Sequence, residues 1–248
     1  VVIAGPCAVE DEASFLRTAL DLKAAGAQVL RGGAFKPRTS PYSFQGLGQE
    51  GLRILAQAKK ATGLPVITEV MDTRTVDEIA AIADILQVGA RNMQNFALLK
   101  ELGRIRRPVL LKRGLSATLE EWLLAAEYIL SSGNPHVILC ERGQRLLGES
   151  GRCGLDLCVI PVLRELSRLP LIVDPSHAAA ARGHVAALSR GAVAAGAHGL
   201  MIEVHEQPEK SRSDADRSLS IDGFQAFMAE LPELLCALDR RLQSQPAG

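Results

Sequence analysis

Short apolar segments rich in β-branched residues alternate along the chain with longer segments that have the spacing of an amphipathic helix. The apolar segments predict eight strands, at residues 1–4, 29–35, 65–70, 85–90, 109–114, 137–143, 171–177 and 199–204. The clearest helical segments cover residues 12–26, 50–63, 118–133 and 183–197, and a glycine at or near the end of each is typical of a helix C-cap. Strand and helix repeated eight times is the order of a (β/α)8 barrel.

The repeat continues along the whole chain, so we predict one (β/α)8 TIM barrel domain over residues 1–248. No low-complexity stretch, charge block or proline-rich linker divides it. The last helical pattern covers residues 222–242, where Pro232 is expected to kink the helix or begin a second one, and the tail 243–248 is expected to be disordered. An open doubly wound sheet is the alternative, which the eightfold strand count disfavours.

Composition and charge narrow the class of protein. Hydrophobic residues make up 47% of the chain and few of them are aromatic, which suits buried parallel strands covered by helices. Lys plus Arg equal Asp plus Glu at 28 each, so no net charge attracts nucleic acid or an anionic membrane. No apolar run has the length of a membrane span, and the first residues lack the basic region of a signal peptide. We therefore expect a cytoplasmic protein that binds neither nucleic acid nor a membrane.

Basic residues concentrate at the predicted strand ends, where barrel enzymes place their catalytic groups. The set comprises Arg31, Lys36, Arg38, Arg91, Lys112, Arg113 and Arg142. Cations on one face of a neutral protein repel each other unless carboxylates or bound anions neutralise them. The set therefore predicts a pocket for more than one phosphate or carboxylate group.

Metal-binding residue types share this predicted rim. Cys7, His177 and Glu203 follow or end strands, and Asp214 lies in the long polar loop after the last strand. Each alone has a structural explanation, as a packed thiol, a hydrogen bonder, a partner for an arginine or a loop cap. Together, thiolate, imidazole and carboxylates predict one divalent metal ion such as Mn, Co, Zn or Fe. The five cysteines have no CxxC spacing, which argues against a disulfide framework.

Seven motifs occur in order between residues 3 and 214: IAGPCAVE, LRGGAFKPRTSPYSFQGLG, QVGARNMQN, LLKRG, CERG, DPSHA and MIEVH. In them the chain resembles the metal-dependent 3-deoxy-7-phosphoheptulonate synthases, a family that also includes 3-deoxy-manno-octulosonate 8-phosphate synthase. The resemblance implies a transferase of the shikimate pathway. This enzyme joins phosphoenolpyruvate, erythrose 4-phosphate and water into 3-deoxy-D-arabino-heptulosonate 7-phosphate and phosphate. The segment from Lys36 to Ser40 resembles the erythrose 4-phosphate version, where the octulosonate branch carries a Lys-Ala-Asn-Arg type.

The resemblance also implies roles for individual residues. Those that resemble metal ligands are Cys7, His177, Glu203 and Asp214. Those that resemble phosphoenolpyruvate ligands are Arg91, Lys112 and Arg142, with Arg31 and Lys36 near its carboxylate. Arg113 is added to the predicted substrate-binding residues as one of the basic residues at the strand ends. Arg38 and Thr39 resemble the aldose phosphate site. Lys36, Lys112, Glu141 and His177 are the implied catalytic residues, with Lys36 as proton donor and Glu141 orienting Arg142 or a water. His205 is a further candidate beside the ligands.

Three segments depart from the family pattern, namely residues 144–157, the AAAARGHV run after His177, and SDADRSL around Asp214. A ferredoxin-like or chorismate-mutase-like regulatory domain is not found in the chain, so allosteric inhibition within it is not expected. We expect a homo-oligomer, a dimer or tetramer, with chorismate mutase as a candidate partner. Two alternatives remain, an octulosonate synthase that uses arabinose 5-phosphate and a non-catalytic barrel that acts as a binding partner. Retention of the whole basic and metal-binding set disfavours the second.

Overall fold

Eight parallel strands close into a barrel in the computed structural model, which describes residues 1–145 and 153–242. With strands numbered along the chain, they are β1 (Val2–Gly5), β2 (Val29–Arg31), β3 (Val66–Glu69), β4 (Ile85–Val88), β5 (Val109–Lys112), β6 (Val137–Glu141), β9 (Leu171–Val173) and β10 (Gly199–Glu203). Successive barrel strands pair with each other, and β1 pairs with β10 through Val2 to Gly5. The predicted (β/α)8 TIM barrel is confirmed, and the open sheet is excluded.

Helices surround the barrel strands. They are α1 (Glu12–Ala24), α2 (Gln49–Thr62), α3 (Val76–Ile82), α4 (Phe96–Leu102), α5 (Leu119–Ser131), α6 (Val159–Leu166), α7 (Pro175–Ala178), α8 (Val185–Ala194) and α9 (Ile221–Ala237). Local sequence fixes several ends: a capping box of Thr118 and Glu121 starts α5, and Gly63 ends α2 in the left-handed conformation. A short antiparallel pair, β7 (Gln144–Arg145) and β8 (Cys153–Gly154), lies outside the barrel.

The element boundaries correct several predictions. The strand predicted at 29–35 ends at Arg31. The strand predicted at 171–177 ends at Val173, because Asp174 caps α7 and Pro175 occupies its first turn. The last helix is a single one that continues through Pro232 and ends at Ala237, so both the second helix and the end at residue 242 are wrong. A stripe of buried apolar side chains, including Phe224 and Leu231, stabilises α9 despite the hydrogen bond that proline cannot make.

Two further expectations concern the chain as a whole. The tail predicted to be disordered, 243–248, lies outside the described residues. Within the described ranges, none of the helices combines the length and apolar character that crossing a membrane requires.

The inside of the barrel changes from apolar to charged in one step. The strands fill it with a cluster of buried side chains, Ile3, Val29, Ile67, Leu110, Cys140, Ile172 and Met201, against which Ile85 packs. Because side chains alternate along a strand, the residues two positions further on point the same way. We call these residues the strand-end layer: Gly5, Arg31, Glu69, Gln87, Lys112, Arg142, Asp174 and Glu203. This layer is the floor on which the candidate site is built.

Candidate active site

An open cavity of about 380 Å³ lies over the strand-end layer at the C-terminal ends of the strands. Ten of the residues predicted for the site line it: Cys7, Arg31, Lys36, Arg38, Thr39, Arg91, Lys112, Arg142, His177 and Asp214. Glu203, also predicted, is fully buried beside them and pairs with Arg31. The chain thus brings these residues from the ends of seven barrel strands, or from the segments that follow them, into one place.

Four potential metal ligands form a compact group within the cavity. One ligand atom from each of Cys7, His177, Glu203 and Asp214 lies within 4.8 Å of all the others. Cys7 Sγ is 3.1 Å from Asp214 Oδ2, and His177 Nε2 is 3.3 Å from Glu203 Oε1. Glu203 Oε2 is buried without a hydrogen-bond partner among the described residues, and a cation would satisfy it. Sulfur, imidazole and carboxylate donors at this spacing fit a first-row divalent ion.

The backbone has an unusual conformation at one of these ligands and close to another. Gly5, just before Pro6 and Cys7, has a φ of +149°, and a Cβ there would lie 2.1 Å from Arg31 O. Only glycine therefore permits this close approach of β1 to β2. Asp214 has a φ of +54°, which is uncommon for a residue other than glycine and persists only where surrounding contacts enforce it.

Asp174 orients the imidazole of His177. Its Oδ2 lies 2.7 Å from His177 Nδ1 and also accepts from Lys112 Nζ, while its Oδ1 accepts from the backbone nitrogen of His177. Burial alone would raise the pKa of Asp174, but the charges of His177 and Lys112 hold it well below the usual value. An ionised carboxylate at Nδ1 leaves Nε2 as the ligand atom. Asp174 thus connects the metal-binding group to Lys112.

The surroundings of the Cys7 thiol favour its protonated form, so it would lose its proton only when a metal ion binds. Burial, and then the charge of Glu203, raise its pKa to about 12, while Lys36 Nζ, 3.0 Å from the sulfur, acts in the opposite direction. Burial also favours a raised pKa at Asp214, but His177 and the hydrogen bond from Cys7 outweigh it and lower that pKa to about 2. Because a metal ligand must be a thiolate, metal binding at Cys7 releases a proton.

The cations fall into two groups according to their partners. In the strand-end layer, Arg31 pairs with Glu203 at 3.1 Å and Lys112 pairs with Asp174, so carboxylates balance cations there. Above it lies a loop layer, which we define as Lys36, Arg38, Thr39, Arg91, Asp214 and Arg217. Within residues 1–145 and 153–242, Arg38, Arg91 and Arg217 form no ion pair. The loop layer therefore carries excess positive charge that favours anions.

The guanidinium of Arg38 is only partly satisfied by hydrogen bonds. Its Nε donates to Phe44 O at 3.0 Å, which fixes the guanidinium against its own loop. Its Nη2 is buried and has no hydrogen-bond partner in the described part of the chain. Arg91 reaches the same loop, with Nη2 3.5 Å from Thr39 Oγ1. A guanidinium held at one nitrogen and unsatisfied at another is suited to a phosphate ligand.

The structure does not bring Arg113, Glu141 or His205 to the cavity lining. Arg113 donates from Nη1 to Glu141 and Asp156, both at 3.1 Å, and its guanidinium lies 5.8 Å from the centroid of the Trp122 ring. Its position contradicts the predicted substrate-binding role, because side chains alternate and Arg113 points opposite to Lys112, toward the helices. Glu141 is out of phase in the same way and accepts from Arg113 and from Gly143 N.

Among the residues that were not predicted for the site, Glu69, Gln87 and Arg217 line the cavity, and Asp174 lies next to the lining. The two-residue alternation of the strands contains the signal for Glu69, Gln87 and Asp174. The glycine at position 89 leaves room for the Glu69 side chain, because a Cβ there would lie 2.1 Å from Glu69 Oε1. Arg217, whose Nη1 donates to His177 O at 3.3 Å, lies in a loop without any periodic signal.

Comparison with known proteins gives a family for this fold and site. The model of the DAHP synthetase I family matches residues 1–238. The chain belongs to this family. It is 50% identical over 237 residues to the phospho-2-dehydro-3-deoxyheptonate aldolase of Thermotoga maritima, covering 96% of this chain and 70% of that protein. It is 36% identical over 249 residues to the 2-dehydro-3-deoxyphosphooctonate aldolase of Geobacter sulfurreducens, covering 93% and 90%.

Solved structures of DAHP synthetase I family members have the same fold. The crystal structure of the Thermotoga maritima aldolase, a DAHP synthase, superposes with a TM-score of 0.94 at 48% identity, covering 98% of this chain and 71% of that one. A truncated form of a Thermotoga maritima 3-deoxy-D-arabino-heptulosonate 7-phosphate synthase gives a TM-score of 0.90 at 44% identity, with 98% and 89% coverage. The predictions of the family, of a transferase and of 3-deoxy-7-phosphoheptulonate synthase activity are confirmed.

Proposed function

We propose that this family member condenses phosphoenolpyruvate with erythrose 4-phosphate at one divalent ion held by Cys7, His177, Glu203 and Asp214. The observation that carries the proposal is the four-donor group, which lies in the wall of a cavity rich in arginine and lysine. Two phosphorylated substrates need cations, and an aldehyde acceptor needs an electrophile beside it. The same cavity offers both the cations and a group of side chains that can hold a metal ion.

Phosphoenolpyruvate is assigned to the deeper part of the cavity. Lys112 and Arg142 belong to the strand-end layer and are less than a tenth exposed, so a phosphate there is largely removed from water. Arg31 and Lys36 are equally buried and are assigned to the carboxylate end. Charge-assisted hydrogen bonds in a desolvated site are among the stronger polar contacts. This part of the cavity therefore suits the smaller, more densely charged substrate.

The phosphate of the aldose is assigned to Arg38 and Thr39, nearer the cavity mouth. The unsatisfied Nη2 of Arg38 supports this assignment. Arg91, which the resemblance implies for phosphoenolpyruvate, contacts Thr39 and so stands between the two substrates. With the phosphates at opposite ends, the C3 carbon of phosphoenolpyruvate and the aldehyde carbon are held near each other, which removes much of the entropic barrier to their reaction.

Lys36 is the proposed proton donor to the oxygen that forms from the aldehyde. Burial would lower its pKa, but Cys7 and Glu69 outweigh burial and raise it, so the ammonium group stays protonated. Its Nζ is held 3.0 Å from both the sulfur and the carbonyl oxygen of Cys7, beside the metal-binding group. When bound, the divalent ion supplies Lewis-acid polarisation of the aldehyde. Water adds at C2 of phosphoenolpyruvate as phosphate leaves.

The octulosonate branch is the second candidate, because relatives of that activity are 31–36% identical over nearly the whole chain. The segment from Lys36 to Ser40 and the 50% identity to the Thermotoga maritima heptonate aldolase favour erythrose 4-phosphate over arabinose 5-phosphate. Homo-oligomerisation, association with chorismate mutase and a cytoplasmic location stay predictions of the sequence.

The test is phosphoenolpyruvate consumption with erythrose 4-phosphate or arabinose 5-phosphate, each with and without a chelator. We expect turnover with erythrose 4-phosphate that the chelator abolishes and that added Mn²⁺ or Co²⁺ restores. Full turnover after verified metal removal would refute the metal assignment. Faster turnover with arabinose 5-phosphate would favour the octulosonate branch.

A further inference from the structure

The metal-binding residue Asp214 lies in a segment whose two ends are held differently. Beyond it, Leu219 N donates to Glu203 O at 2.8 Å and His205 N donates to Leu219 O at 3.0 Å, so backbone pairing joins this end to β10. Before it, the backbone of Ser211 and Arg212 makes no such pairing with a barrel strand within the described residues. The left-handed backbone of Asp214 needs support from both sides.

A carboxylate from the loop between β1 and α1 contacts the unpaired end, where the Arg212 guanidinium also lies 3.8 Å from the centroid of the Phe44 ring. Glu10 Oε1 accepts from Arg212 N at 2.8 Å and lies 3.1 Å from Ser211 Oγ. The Ser211 hydroxyl in turn donates to Ser213 O at 2.7 Å, which closes a tight turn directly before Asp214. The Glu10 side chain is only 13% exposed, so water competes weakly for these hydrogen bonds.

Glu10 and Cys7 lie on the same short loop between β1 and α1. Val9 N between them donates to Gly33 O at 2.9 Å, which joins this loop to the chain after β2. One loop therefore has two roles. Its Cys7 supplies the sulfur of the metal-binding group, and its Glu10 contacts the turn directly before Asp214. Residues 211–212 lie directly before the segment that places Asp214 Oδ2 3.1 Å from Cys7 Sγ.

We infer that Glu10 is a positioning residue that sets Asp214 for metal binding through the backbone of residues 211–212. The inference rests on the proposed metal site. Glu10 acts here by geometry, as a hydrogen-bond acceptor. The competing explanation is an ion pair, because Glu10 Oε2 is 3.9 Å from His205 Nε2. The variant Glu10→Gln distinguishes hydrogen bonding from the ion pair, because the amide oxygen of glutamine accepts the same hydrogen bonds but carries no charge.

The test is Co²⁺ binding to metal-free protein, followed by the visible absorption of the bound ion, in Glu10→Ala, Glu10→Gln and a matched control. The control is Glu206→Ala, which removes another carboxylate contact between the loop after β10 and α1, to Ser14 and Arg17, without touching residues 211–214. Loss of an outer hydrogen-bond partner weakens metal binding by roughly 10- to 100-fold. We expect about a tenfold rise in Kd for Glu10→Ala, and wild-type-like Kd and spectrum for Glu10→Gln and Glu206→Ala.

Several outcomes overturn the inference. A Glu10→Ala protein with the wild-type Kd, a Glu10→Gln protein as weak as Glu10→Ala, or an equal loss in Glu206→Ala each contradicts positioning by hydrogen bonds. If Glu10→Ala does not fold, as judged by thermal unfolding without metal, Ser211→Ala decides: an unchanged Kd there overturns the inference, and a weakened one supports it. A wild-type protein that binds no Co²⁺ refutes the proposed metal site itself.

Discussion

The strand-end layer and the loop layer of the cavity neutralise their charges in different ways. In the strand-end layer, Arg31 and Lys112 pair with the fully buried carboxylates of Glu203 and Asp174. In the loop layer, Arg38, Arg91 and Arg217 have no carboxylate partner within the described residues, and Thr39 and Arg91 are exposed. The deep part of the site is thus organised before any substrate binds, whereas the outer part depends on the substrate for its counter-charge.

This difference separates two functions. Groups that must keep a fixed geometry, such as a metal-binding imidazole, are held by buried hydrogen bonds to neighbours, which pre-organise them. The loop-layer cations Arg38 and Arg91 form no ion pair within the described residues, so they have more to gain from a bound phosphate than a cation that is already paired with a carboxylate. Substitutions in the two layers should therefore change different measured quantities.

The largest effect is expected for Cys7→Ser, at the metal-binding group where both layers meet. A hydroxyl is a harder and far more weakly ionised ligand than a thiolate, so the variant should fold but lose most of its metal affinity. The loss should exceed the roughly 10- to 100-fold typical of an outer hydrogen-bond partner. Metal content after dialysis and a binding titration measure it. Metal affinity equal to that of the wild type would return Cys7 to a packing role.

In the loop layer, Arg38→Ala should raise the Michaelis constant for erythrose 4-phosphate while phosphoenolpyruvate binding, measured alone, stays near normal. Losing a charged partner of a phosphate costs about 2 kcal/mol or more, which corresponds to roughly thirtyfold. Arg142→Ala is the matched variant in the strand-end layer and should weaken phosphoenolpyruvate binding directly. If Arg38→Ala impairs phosphoenolpyruvate binding and leaves the aldose constant unchanged, the assignment of the two phosphates is reversed.

Within the strand-end layer, Asp174→Asn should lower metal affinity by about tenfold, at the low end of the effect of an outer partner. The amide no longer offers a charged acceptor to both His177 Nδ1 and Lys112 Nζ, so the imidazole loses its fixed orientation. Titration with Mn²⁺ gives the Kd, and the Michaelis constant for erythrose 4-phosphate serves as the internal control. A change confined to that constant would place Asp174 in the aldose site.

The smallest kinetic effect is expected for Arg113→Ala, although the residue adjoins Lys112. Arg113 contacts Glu141 and Asp156 behind the layer, so both Michaelis constants should stay near those of the wild type. Stability should fall by about 3 kcal/mol, because the fully buried Glu141 loses its charge partner. Thermal unfolding and steady-state kinetics measure the two quantities. A large rise in the constant for phosphoenolpyruvate, with stability unchanged, would restore Arg113 to the substrate site.

The sequence predicted the eight strands, and with them the residues that share a rim, because a buried parallel strand leaves a continuous apolar run. The metal-binding group could be predicted as well. Its members lie at the C-terminal ends of strands or in the loops that follow them, and these positions meet at one end of a closed barrel. Arg113 and Glu141 lie outside the cavity lining. Arg113 was predicted from its proximity to a strand end, which does not take the alternation of side chains into account, whereas the role of Glu141 was implied by the resemblance. That same alternation, measured from Leu110 and Cys140, places Lys112 and Arg142 inward and the other two outward.

Other features have no counterpart in a periodic pattern. The contact of Arg217 with His177 O depends on how the segments after the neighbouring strands β9 and β10 fold, and the contact of Glu10 with Arg212 N depends on the pairing of β1 with β10 that closes the barrel. The end of α9 at Ala237 also depends on packing, because the helical pattern itself continues to residue 242.

The change from apolar to charged side chains inside the barrel occurs between neighbouring inward positions of the same strands. Cys140 and Arg142, or Met201 and Glu203, therefore face different selection, one for folding and one for chemistry. The outer member of such a pair does not belong to the apolar cluster beneath it, so an exchange there leaves the members of that cluster unchanged. A barrel built this way can acquire a new substrate preference through substitutions that leave its folding largely intact. Divergence between sugar phosphate acceptors on one scaffold is an expected evolutionary result of that arrangement.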